Sequence, residues 1–136
     1  MKATEQTLQQ ILRALRKVAE KFPNNVEASV LTDVHVRVNQ DTGEVQIFDD
    51  DDKEVTRCVV EQWIENKDDD FYEHVTSVIR GCIEKEKDLI DNLSILKPYA
   101  FVLEDDDRES VAELYVADDD TVIFDSELMK DLDKDL

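Results

Sequence analysis

Four runs of aspartate punctuate this chain, at Asp49–Asp52, Asp68–Asp70, Asp105–Asp107 and Asp118–Asp120. Neighbouring carboxylates cannot share a dry interior, because each would need its own compensating cation. Any fold must therefore leave the runs in water. Each run abuts a strongly apolar segment, which makes them connections between elements rather than one disordered acidic tail. They supply much of a formal net charge of −19. A surface this acidic repels nucleic acid and anionic lipid, and attracts cations and basic proteins.

High charge alone opposes collapse. Charged residues make up 38% of the chain and apolar residues 41%, a balance that leans toward disorder. Two observations point the other way. Glycine and proline number two each, and the apolar residues are periodic rather than scattered. The reading is a single α+β domain over residues 1–128, with a fraying acidic end at 129–136.

The periodicities give an approximate order of α-β-β-α-α-β-β-β-α, a mainly antiparallel sheet with helices packed on one face. Leu8, Ile11, Leu12, Leu15, Val18, Ala19 and Phe22 recur at helical spacing after Thr4, a suitable N-cap. Val34, Val36 and Val38 alternate with polar residues, as do Val45 and Ile47, and Gly43 between them suits a hairpin turn closed by an Asp41 side-chain bond. A further strand is expected over Val26–Leu31. Residues 54–66 fit a helix through Val55, Cys58, Val59 and Trp63, although their β-branched and aromatic content also suits a strand. A long helix capped by Asp70 is expected to run from Phe71 to Leu93, with Gly81 marking a close helix–sheet approach. Strands are expected over Tyr99–Leu103, Val111–Val116 and Thr121–Phe124, and a last short helix over Glu127–Leu132 behind Ser126.

Chemical motifs are sparse. Gly43 and Gly81 stand too far apart for a phosphate-binding loop, and no GxSxG or HExxH pattern occurs. His35 and His74 read as surface or half-buried residues, and Cys58 and Cys82 as free thiols of a reducing, cytoplasmic setting. The amino terminus lacks a secretory layout. The aspartate runs read as solvated turns and caps, since none follows the alternating ligand pattern of a calcium loop. No catalytic residue, cofactor site or metal site is assigned. Trp63 and Phe71 read as core, with Tyr72 open to a role in recognition.

Residues 1–25 carry five basic against two acidic side chains, so the first helix is basic beside an acidic body. That contrast can be neutralised within the fold or used between subunits, so a homo-oligomer is allowed for. The expected function is a non-enzymatic acidic interaction module for a basic protein or peptide, without direct nucleic-acid or membrane binding. Its expected partner-binding residues are Asp105, Asp106, Asp107, Asp118, Asp119 and Asp120. The alternatives are a nucleic-acid mimic that occupies a DNA-binding protein, or a secretion-chaperone-like protein that holds an effector.

Two resemblances accompany this reading. The segment Val34–Phe48, VHVRVNQDTGEVQIF, resembles the hairpin in the amino-terminal domain of NusA transcription factors, which implies a helix before the hairpin. Small size, acidic balance and mixed α/β order look like bacterial type III secretion chaperones, which implies a dimer holding a partly unfolded effector segment.

Overall fold

Thr4 opens the first helix by accepting a hydrogen bond from the Thr7 amide, and α1 then runs Glu5–Lys21 with Ile11, Leu15 and Val18 on its buried face. The computed structural model describes residues 3–23, 27–28, 30–64 and 67–117. Within them follow β1 (Val34–Val38), β2 (Thr42–Phe48), β3 (Glu54–Ile64), α2 (Phe71–Lys85), α3 (Lys87–Ile90), β4 (Tyr99–Glu104) and β5 (Ser110–Ala117). The strands form one sheet in the order β3-β2-β1-β4-β5. The expected α+β class is observed. The sheet is mixed, because β1 and β4 pair in parallel while the other three pairings are antiparallel.

One face of the sheet builds the core. Val34, Val36, Val38, Val45, Ile47, Tyr99, Phe101 and Leu103 join the buried faces of α1 and α2 in a single apolar cluster. The opposite face carries His35, Arg37, Gln46 and Arg57, the alternation that a half-buried sheet requires. Trp63 and Phe71 meet edge-to-face in the core, with ring centroids 6.0 Å apart.

Several expectations need correction. Residues 54–64 form an edge strand, not a helix. A bulge sets five residues of β3 (60–64) against two of β2, so the pleat loses parity and both Val60 and Trp63 reach the core. Their spacing of three mimics a helical repeat. The long helix breaks at Glu86, because the stretch from Glu84 to Asp88 offers nothing apolar to hold it on the core. Asp70 sits at the N-cap position of α2 without a side-chain cap bond. Gly81 has open space where a Cβ would stand, so it marks no close approach. Of the strand expected over Val26–Leu31, Val30 makes an isolated parallel bridge to Ile95. The elements expected at Thr121–Phe124 and Glu127–Leu132, and the end at 129–136, lie outside the described residues.

The hairpin turns share one construction. Asp49 Oδ1 accepts the amides of Asp51 (2.9 Å) and Lys53 (3.0 Å), while Asp52 takes a positive φ of 61°. In the β4–β5 turn, Asp105 Oδ1 accepts the amides of Asp107 (2.9 Å) and Glu109 (3.0 Å), and Arg108 has φ 68°. In both turns the fourth amide also bonds the first carbonyl, at 3.1 Å. This is a tight turn followed by a left-handed residue, the arrangement that reconciles a short loop with strand twist. The β1–β2 turn is a variant in which Asn39, not Asp41, supplies the side-chain acceptor, and Gly43 takes φ 71°.

Only the first aspartate of each turn is thus a structural requirement. Asp49→Ala and Asp105→Ala should each destabilise the fold by about 1–2 kcal/mol, the usual cost of losing a side-chain acceptor for backbone amides. Asp51→Ala and Asp106→Ala should stay within about 0.5 kcal/mol of the parent in urea unfolding. Gly81→Ala, in the exposed interior of α2, should stabilise by about 0.5–1 kcal/mol in the same assay.

Candidate functional site

Of the expected partner-binding residues, Asp105, Asp106 and Asp107 occupy the β4–β5 turn. Asp118, Asp119 and Asp120 lie outside the described residues. Asp68–Asp70 lead directly into α2, and Tyr72 in its first turn donates from its hydroxyl to the Val38 carbonyl at 3.1 Å. Burial pushes that hydroxyl up to about 12, and the charges of Asp106, Asp105 and Asp107 push in the same direction. His74, two residues further along α2, feels Asp70 and Asp68, although burial dominates and lowers its pKa. The Asp105–Asp107 run thus acts on Tyr72, and Asp68 and Asp70 act on His74 in the same helical turn.

Beside this rim lies a groove of about 320 Å³ between α2 and β5, lined by Tyr72, Glu73, Thr76, Arg80, Val111 and Ala112. Val111 is 41% exposed there. Arg80 reaches across to donate to the Glu113 carbonyl at 2.6 Å. The carboxylate oxygens of Asp105, Asp106 and Asp107 approach within 4.8 Å of one another, a spacing that a hard cation accepts. One oxygen of Asp105 is already committed to two turn amides.

A second cluster occupies the polar face of the sheet. Glu104, at the end of β4, is buried and receives the Arg37 guanidinium on Oε1 through Nε (3.2 Å) and Nη2 (3.0 Å). Its Oε2 meets His35 Nδ1 at 2.8 Å, and His35 Nε2 meets Asp50 Oδ1 at 2.7 Å. Arg37 also stacks 4.3 Å from the centroid of the Phe48 ring. The two acidic turns are further tied by Arg108 Nη1 to Asp52 Oδ2 at 3.4 Å. Sequence reasoning missed this cluster. Its visible signal was the alternation of His35 and Arg37 on β1, but the partner Glu104 comes from a strand nearly 70 residues away.

Burial acts against a charged His35 ring, yet the bonds to Asp50 and Glu104 outweigh it and raise the pKa. With its folded pKa above the unfolded value of about 6.5, His35 stabilises the fold fully below pH 6.5, and the contribution fades as pH rises through the folded value. Urea unfolding should therefore show stability lost on the alkaline side of pH 6.5, and His35→Gln should flatten that part of the profile. An NMR titration of the His35 ring should give a midpoint above 6.5.

The basic helix is neutralised only in part. Arg16 pairs with Glu86 at 2.8 Å and Lys17 with Glu20 at 3.7 Å, while Arg13 and Lys21 make no ion pair among the described residues. No helix among the described residues is long and apolar enough to cross a membrane. Cys58 is half-buried and Cys82 buried, both as free thiols whose pKa burial raises.

Comparison with protein-family models, curated proteins and solved structures gives no match for this chain.

Proposed function

We propose that this chain is a non-enzymatic acidic interaction module that docks a basic protein or peptide. The observation that carries the reading is the clustering of the Asp105–Asp107 carboxylates in the β4–β5 turn, whose charges act on Tyr72 in the first turn of α2. Asp69, Asp70, Asp106 and Asp107 are exposed and take part in no salt bridge among the described residues. A rim of like charges held together by turn geometry attracts cations at long range, which speeds encounter and penalises acidic competitors.

Binding rather than catalysis is favoured by the chemistry of the rim itself. Its groups are solvated carboxylates and one tyrosine hydroxyl already bonded to the Val38 carbonyl, with a pKa about 12. That hydroxyl is not tuned for proton transfer near neutral pH. Asp118–Asp120 belong to the same proposal as a further acidic contact.

The test begins with a partner recovered by pull-down and continues with association rates across a sodium chloride series. Asp106→Asn with Asp107→Asn should slow association about threefold or more at low salt and leave the circular dichroism melt unchanged. Asp105 is best left in place, because it closes the turn. Association insensitive to salt and to these substitutions would overturn the electrostatic reading.

A further inference from the structure

We propose that the groove between α2 and β5 is the anchor pocket of this module, and that its occupant is a lysine- or arginine-rich segment bearing one aliphatic side chain next to its cations. This rests on the reading of the acidic rim given above and specifies what that rim receives. The groove and the rim are continuous. Tyr72 and Glu73 line the groove, and the same Tyr72 hydroxyl lies within the field of Asp105, Asp106 and Asp107.

The lining has a division of labour along its length. Tyr72 and Glu73 stand at the acidic end, with Thr76, Val111 and Ala112 in the middle. Arg80 closes the other end, its guanidinium tied to the Glu113 carbonyl. Residues 72 and 80 on α2 are separated by about 12 Å along the helix axis, the span of three to four extended residues. A volume of about 320 Å³ sits at the small end of ligand pockets and suits one aliphatic side chain with its backbone. Cations at the Tyr72 end meet carboxylates, whereas cations at the Arg80 end meet another cation. The groove therefore fixes the direction of the segment: basic residues toward Asp105–Asp107, aliphatic residue toward Val111. Exposed carboxylates set the encounter rate, and burial of the aliphatic side chain against Val111 sets the lifetime of the complex.

Two fluorescein-labelled peptides test this, Lys-Lys-Lys-Gly-Leu-Gly and its Leu→Ala counterpart, by anisotropy with the full chain in low salt. The leucine peptide should bind about tenfold more tightly. Val111→Asp should erase that preference although it adds negative charge, and its melt should confirm that the variant is folded. Titration of the parent protein with the leucine peptide should shift the amide resonances of Thr76 and Ala112. Equal, salt-sensitive binding of both peptides, or unshifted Thr76 and Ala112, would overturn the anchor pocket and leave the acidic rim standing. No salt-sensitive binding of either peptide would overturn both.

Discussion

The buried carboxylate of Glu104 holds together the one place where this sheet could come apart. One half of the sheet is the meander β1–β3, the other is the β4–β5 hairpin, and among the described strands only the parallel β1–β4 pairing joins them. A parallel seam between distant segments has no tight turn to set its register. Here Glu104, opposite Arg37 in the register, takes two hydrogen bonds from that guanidinium and one from His35. A one-residue slip would point these charges into the core and strand a desolvated anion. The seam also positions the acidic surface. Asp50 is tied to His35 on the near side of it, the Asp105 turn begins directly after Glu104, and Arg108 closes the gap to Asp52.

A chain this acidic folds because most of its charge does local backbone work or stays in water. Asp49 and Asp105 each satisfy two amides, so part of what looks like an electrostatic burden is turn chemistry. The sheet edges are treated alike. Gln10 from α1 donates to the Val59 carbonyl of β3 at 2.8 Å, and Arg80 from α2 donates to the Glu113 carbonyl of β5. Each terminal strand of the described sheet thus has a helix alongside it and a long side chain on an edge carbonyl, which blunts unwanted strand pairing.

What could be read from the sequence followed from local periodicity. The face of α1, the β1–β2 hairpin, the two strands after Pro98 and the placing of the three described aspartate runs in turns or just before a helix all depend on neighbours in the chain. The misreadings share a cause as well. Val55, Cys58, Val59 and Trp63 look helical by spacing, but a bulge set by pairing with β2 puts Val60 and Trp63 in the core. The freedom around Gly81 depends on what does not pack there, whereas the break at Glu86 follows from the charged stretch Glu84–Asp88. The candidate site was legible only in half. The acidic turns were visible as composition, but the approach of the Asp105–Asp107 turn to Tyr72 and the cluster at His35 bring together segments far apart in the chain, which no local pattern encodes.

The turn at Asp49–Lys53 has a practical consequence, because Asp-Asp-Asp-Asp-Lys is also the recognition sequence of enteropeptidase. Proteases of this kind bind an extended substrate, and here the backbone is curled into a ring by the bond from the Asp49 amide to the Lys53 carbonyl. The peptide bond after Lys53 is presented only when the β2–β3 hairpin opens. Cleavage at Lys53 therefore reports the population of that open state, a built-in gauge of local unfolding that needs no added label.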